Sequence, residues 1–162
     1  MNKAYLLIGG NMGDRLANLQ EASNAIVMQC GNILSQSAIY ETEAWGFKEQ
    51  PSFFNQALCI ETKKNATDLL HTILAIELSL GRTRAIHLGP RKIDIDIIYF
   101  NDEIINLKQL TVPHASMAER NFVLIPLTEI APTFIHPVFN KSNSELLREC
   151  KDIATVYKKI DR

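Results

Sequence analysis

Between residues 3 and 100 the chain switches repeatedly between two hydrophobic periods, and the order of the switches admits few folds. Residues 3–9 read as a buried strand, followed by the glycine turn Gly9-Gly10-Asn11-Met12-Gly13. Asp14 then caps a helix with apolar positions Leu16, Leu19, Ile26, Val27 and Cys30 at helical spacing, and Gly31 stops it. Residues 33–42 read as a strand, residues 43–52 as a loop marked by Trp45-Gly46 and Gln50-Pro51, and residues 53–62 as a returning strand. Asn65 caps a second helix, with Asp68 in its first turn and Leu69, Leu70, Ile73, Leu74, Leu78 and Leu80 on its apolar face up to Gly81. A basic loop leads into residues 93–100, the clearest strand of the chain. The order strand, helix, strand, strand, helix, strand predicts a ferredoxin-like βαββαβ α+β sheet, mostly antiparallel, with helices packed on one face. The C-terminal additions expected to cover the other face are an extended segment at 104–112, helical pieces near 115–120 and 123–130, a helix near 143–150 and a strand near 154–160.

A chain of 162 residues suits one domain, read here as spanning 1–162. Lys and Arg number 17 against 18 Asp and Glu, a net charge of −1 that argues against a general polyanion binder. No apolar run approaches a membrane span. Cys30, Cys59 and Cys150 are widely spaced and form no Cys-x-x-Cys, which fits a reducing cytoplasm rather than a disulfide framework or zinc site. The expected protein is thus a cytoplasmic monomer that binds neither nucleic acid nor membrane.

The strongest local signal is Asp94-Ile95-Asp96. Alternation puts both carboxylates on one strand face, their Cα atoms about 6.6 Å apart, with Ile98 and Phe100 expected to continue that face as core. Arg82, Arg84, Arg91 and Lys92 lie just upstream. Carboxylates for a hard cation beside guanidinium groups for phosphate oxygens suit Mg²⁺ bound to a polyphosphate. His114 follows Pro113 and shares its short segment with Arg120, whereas His71, His87 and His136 have no metal-ligand spacing. The glycine turn matches neither Walker A nor Gly-x-Gly-x-x-Gly, so its expected use is a tight turn with backbone open to a neutral ligand. Phe53, Phe54 and Phe122 are either core residues or the walls of a cleft for a flat heterocycle. Asn55, on the face of Phe53, offers the donor and acceptor that a purine-like or pterin-like edge requires.

Three segments carry a family resemblance. They are Gly89-Pro90-Arg91-Lys92-Ile93-Asp94-Ile95-Asp96-Ile97-Ile98, Leu110-Thr111-Val112-Pro113-His114 and Arg120-Asn121-Phe122-Val123-Leu124-Ile125-Pro126-Leu127. With Ile8-Gly9-Gly10-Asn11-Met12-Gly13 and Phe53-Phe54-Asn55, the chain resembles the 6-hydroxymethyl-7,8-dihydropterin pyrophosphokinases up to about residue 140. The resemblance implies transfer of a pyrophosphoryl group from ATP to the hydroxymethyl group of the reduced pterin, releasing AMP, in folate biosynthesis. It implies two Mg²⁺ ions on Asp94 and Asp96, with Arg82 and Arg91 as the further catalytic residues. Glu77, Arg84, Leu110, Thr111, His114 and Arg120 would serve ATP. Thr42, Trp45, Phe53, Asn55 and Phe122 would hold the pterin, the two phenylalanines stacking on its faces. Phe53, Leu88, Gln109 and Ala115 stand where the family often carries tyrosine, tryptophan, arginine and tyrosine. Two rivals remain at this point: a binding module on the same sheet, and a γ-kinase releasing ADP. An RNA-binding module is disfavoured by the charge and by the absence of an aromatic RNP pattern.

Overall fold

The computed structural model describes residues 1–43, 50–81 and 91–159. The first elements are β1 (Asn2–Gly10), α1 (Arg15–Gln29), β2 (Gly31–Gln36), β3 (Tyr40–Thr42), β4 (Phe53–Thr62), α2 (Ala66–Ser79) and β5 (Asp94–Phe100). They are followed by β6 (Ile105–Asn106), β7 (Thr111–Val112), a single 3₁₀ turn (Met117–Glu119), α3 (Asn121–Ile130), α4 (Asn143–Glu149) and β8 (Val156–Lys158). The main sheet runs β5-β1-β4-β3-β8, with β2 also paired to β4, and every pairing in it is antiparallel. The chain is an α+β protein. β6 and β7 form a separate small hairpin.

β1 reads as a continuous apolar run because both faces of the sheet are covered. Ala4, Leu6 and Ile8 pack with Leu19, Ala22 and Ile26 of α1 and with Leu69, Ile73 and Ile76 of α2. Tyr5 and Leu7 turn the other way, onto Val123, Leu124 and Leu127 of α3 and Leu146 of α4. The C-terminal additions therefore close the second face, as expected. The expected caps form: Asp14 accepts from the Ala17 N–H and Asn65 from the Asp68 N–H. Leu16, Val27 and Leu78 depart from the expected helix faces and are exposed, because the buried stripes run through Asn18, Leu19, Ala22 and Ile26 and through Ala66, Leu69, Ile73 and Ile76.

Two expectations need correction. The strand predicted at 33–42 is two strands, both on β4. Buried Ser37 interrupts them: its hydroxyl accepts from the Ala57 N–H, and the Gln56 amide donates to its carbonyl. The second concerns β5. Tyr5 pairs with Tyr99 while Leu6 pairs with Ile97, so Ile98 is the extra residue of a β-bulge. Ile98 keeps the face of the two aspartates, but the bulge turns Phe100 onto the opposite face, into the α1–α2 core. The Ile98 carbonyl accepts from the His114 N–H at 3.0 Å, so the bulge also holds the segment after Pro113.

Candidate active site

The site grows from one row of registered residues. Gly9 on β1 faces Asp94 on β5 and Asn55 on β4, and Asn55 faces Tyr40 on β3. Gly9 leaves no room for a side chain: a Cβ there would stand 2.0 Å from the Asn55 Oδ1 and 2.9 Å from the Phe54 carbonyl oxygen. Its bareness lets the Asn55 amide lie across β1. Asn55 is only 5% exposed, and among the described residues its side chain has no hydrogen-bond partner. A buried amide without a partner is uncommon in a native fold and points to a ligand.

Two clefts meet at the aspartates. The first is lined by Leu7, Gly9, Thr42, Glu43, Phe53, Asn55, Arg91, Asp94, Asp96, Arg120 and Phe122. It collects every residue expected at the pterin except Trp45. The Arg91 Nε lies 2.9 Å from the Asp94 Oδ2, and its guanidinium carbon is 5.0 Å from the centre of the Phe53 ring. Arg120 stands 5.8 Å from the Phe122 ring. Arg120 was expected among the nucleotide residues; it opens into this first cleft because it immediately precedes α3.

The second cleft lies along the outer edge of β5. Leu70, Leu74 and Glu77 of α2 form one wall; Gln109, Leu110, Thr111, His114 and Ala115 form the other; Asp94 and Asp96 lie between. Glu77 is a buried carboxylate, and its Oε2 accepts the Ile95 N–H at 2.8 Å, which fixes the strand between the two aspartates. The His114 Nδ1 accepts from the Ser116 N–H, which puts the ring proton on Nε2. Arg82, Arg84, Trp45 and Leu88 lie outside the described residues.

Sequence reasoning missed Asn11. This residue, 2% exposed, joins Gln50 and Pro51 to Arg91. Its amide donates to the Gln50 Oε1 and the Pro51 carbonyl, and its Oδ1 accepts the Arg91 N–H, each at 2.9 Å. Its own N–H donates to the Arg91 carbonyl. A Cβ on Gly10 would stand 2.2 Å from the Lys92 carbonyl oxygen. The glycine turn therefore admits protein backbone at Gly10 and Asn11, where a neutral ligand was expected, and only Gly9 faces the cleft. An asparagine in a glycine turn carries no signal of its distant partners. Glu41 went unnoticed for the same reason. The Ser52 hydroxyl first, then Arg15, holds its carboxyl below the usual range and anchors the loop end at Ser52.

This fold, an antiparallel sheet with helices on both faces and a carboxylate pair between two clefts, has close structural counterparts. Wild-type Plasmodium falciparum HPPK-DHPS with pteroate matches 91% of this chain and 42% of its own at TM-score 0.73 and 18% identity. The family model for 7,8-dihydro-6-hydroxymethylpterin-pyrophosphokinase (HPPK) matches residues 5–132, and the chain belongs to that family. A 2-amino-4-hydroxy-6-hydroxymethyldihydropteridine pyrophosphokinase of Aquifex aeolicus is 38% identical over 149 residues, 92% of each chain. The protein of the same name in Bacillus subtilis is 44% identical over 130 residues, 80% of this chain and 78% of that one. The folic acid synthesis protein FOL1 of Dictyostelium discoideum is 42% identical over 145 residues; the match covers 90% of this chain but only 22% of FOL1.

Proposed function

We propose that the chain transfers a pyrophosphoryl group from ATP to the hydroxymethyl group of 6-hydroxymethyl-7,8-dihydropterin and releases AMP, a step of folate biosynthesis. The observation that carries this reading is the pair of clefts sharing Asp94 and Asp96: an aromatic and amide-lined one for a flat heterocycle, and a longer one for a nucleotide. In the first, Asn55 reads the edge of the pterin, Phe53 and Phe122 cover its rings, and Thr42 completes the described wall; Trp45 is proposed as a further pterin-binding residue. In the second, Leu110 and Thr111 line the nucleotide, Glu77 holds the strand beneath it, and His114 donates from Nε2. Arg91 and Arg120 meet phosphate oxygens, and Arg82 and Arg84 are proposed to join them.

The hydroxymethyl oxygen attacks the β-phosphorus, and the bond from that phosphorus to the oxygen bridging the α-phosphate breaks. The β- and γ-phosphates pass to the pterin together, AMP leaves with the bridging oxygen, and the alcohol proton is released. Such a transfer asks for alignment and charge stabilisation more than for a protein nucleophile. The donor set fits Mg²⁺: hard oxygen ligands, and among the described residues no third His, Cys, Asp or Glu grouped with them. Mg²⁺ is commonly held by one or two carboxylates with the remaining positions left to phosphate and water. Asp94 and Asp96 would hold two such ions, which supply charge neutralisation on the triphosphate. Arg91, already within reach of Asp94 and Phe53, turns to the phosphates when these arrive.

We also read the sheet as ferredoxin-like. With β2 and β3 counted as one interrupted strand, the spatial order becomes fourth, first, third, second, and β8 is an added edge. A cytoplasmic monomer that binds neither nucleic acid nor membrane completes the proposal. The three cysteines are unpaired, and among the described residues no helix is long and apolar enough to cross a membrane.

The test is product analysis. The protein is incubated with ATP, Mg²⁺ and 6-hydroxymethyl-7,8-dihydropterin, and AMP is separated from ADP. Pterin-dependent AMP that disappears on chelation supports the reading. Pterin-dependent ADP would make the chain a γ-kinase, and no turnover with pterin bound would make it a binding module.

A further inference from the structure

Helix α3 carries Phe122 in its first turn and follows directly on Arg120, yet it begins without a cap of its own. Arg120 makes no side-chain capping bond, and the first turn holds no acidic residue. An exposed helix start can use water, but α3 packs Val123, Leu124 and Leu127 into the core. Its first amides need an acceptor that the local sequence does not provide.

The acceptor comes from far downstream. The Asp152 Oδ2 accepts the Asn121 N–H at 2.9 Å, and the Asn121 amide donates back to the Asp152 carbonyl at 2.9 Å. The Asp152 Oδ1 accepts the Ala154 N–H at 2.9 Å, which turns the chain toward the sheet edge. Three residues after Asp152, the Thr155 carbonyl accepts the Thr42 hydroxyl at 3.3 Å. β8 then pairs with β3, Val156 opposite Thr42, and the Lys159 N–H donates to the Ile39 carbonyl at 2.7 Å. Residues 152–159 thus form a strap tied at one end to the start of α3 and along its length to β3. Both elements line the first cleft: Arg120 and Phe122 from one, Thr42 from the other.

We propose that Asp152 is a positioning residue for the pterin cleft: it caps α3 from outside the helix and so sets Phe122 and Arg120 against Thr42 and Phe53. This role rests on reading the first cleft as the pterin site. The physical basis is twofold. A carboxylate at a helix N-terminus satisfies an orphan N–H and faces the positive end of the dipole. Without it the first turn of α3 opens, and a cleft wall present only part of the time lowers apparent affinity by the fraction of time it is formed. A strap that merely stabilised the fold would weaken both substrates alike; this one acts mainly on the cleft that α3 borders and reaches the nucleotide only through Arg120.

The experiment compares Asp152→Ala, Asp152→Asn and Asn65→Ala, the last removing the cap of α2, a helix that does not line the first cleft. Steady-state kinetics give KM for pterin and for ATP separately, and amide hydrogen exchange on the ligand-free proteins reads residues 121–124. Losing one cap typically costs about 1 kcal/mol, so pterin KM should rise about fivefold in Asp152→Ala, with a smaller rise in ATP KM that reaches the nucleotide through Arg120 alone. Exchange at 121–124 should quicken in the same variant. Asp152→Asn keeps only one of the two acceptor oxygens and loses the charge, so its pterin KM should fall between wild type and Asp152→Ala. Asn65→Ala should lower the melting temperature and leave pterin KM unchanged. Unchanged exchange at 121–124 in Asp152→Ala, or an equal rise in pterin KM in Asn65→Ala, would overturn the proposal. If the wild-type chain does not turn over pterin, the assigned reaction falls, while exchange at 121–124 still decides whether Asp152 holds the start of α3.

Discussion

Replacing Gly9 by alanine tests the central feature of the site with a single methyl group. The added Cβ would stand 2.0 Å from the Asn55 Oδ1 and 2.9 Å from the Phe54 carbonyl oxygen. Ordinary carbon contacts begin at 3.4 Å, so the amide oxygen must retreat by about 1.4 Å while β1 and β4 part slightly. The side chain is the softer of the two neighbours and takes most of the movement. A displacement of that size breaks the hydrogen bonds the amide makes to a ligand edge. Two such bonds at about 1 kcal/mol each predict pterin binding weaker by about 30-fold. The assay is pterin titration, by intrinsic pterin fluorescence, of wild type, Gly9→Ala, Asn55→Ala and the double variant. If displacement of Asn55 is the cause, Gly9→Ala should add almost nothing in the Asn55→Ala background. Pterin affinity within twofold of wild type in a folded Gly9→Ala protein would refute the assignment of Asn55. Full additivity in the double variant would instead place the effect in strand spacing.

Asp96→Ala should abolish AMP formation while pterin still binds; normal turnover would remove the carboxylate pair from the chemistry. Asn11→Ala leaves the Arg91 N–H and the Pro51 carbonyl without their bonds and should destabilise the protein by about 2–4 kcal/mol, read as the urea midpoint, with a fall in kcat as Arg91 loses its anchor. Thermal and urea stability equal to wild type would show that the loop ends hold without it. His136 is buried, which lowers its pKa below the ordinary 6.5, and its Nδ1 accepts the Val138 and Phe139 N–H groups in the neutral form. The unfolded chain therefore binds the proton first. This contribution to stability is complete above pH 6.5 and is lost as pH falls from there through the folded-state pKa. An NMR titration of the His136 ring with a midpoint above 6.5 would reverse the sign.

The readable parts of the sequence were those whose cause is local. Asp14 and Asn65 cap their helices because the acceptor and the amide it serves lie within one turn. Asp94 and Asp96 share a face because strand alternation needs no knowledge of the partner strand. Phe100 was misplaced for the complementary reason. Whether alternation continues past Ile98 depends on its register with β1, and a bulge there is not written in the apolar residues that form it. Asn55 was legible as an amide on the face of Phe53; that it lies buried across a bare Gly9 is a property of three strands in register.

The sequence by itself determined the order of strands and helices, the capped helix starts, the carboxylate pair on one strand face and, through its motif segments, the family. Tertiary structure alone decided that Asn11 would join Gln50 and Pro51 to Arg91, that a bulge at Ile98 would hold the segment after Pro113, and that Asp152 would cap a helix 31 residues earlier. The division has one physical cause. Periodicity and capping are set within a few residues of chain, whereas partners distant in sequence are chosen only when the sheet register and the packing of both its faces are complete.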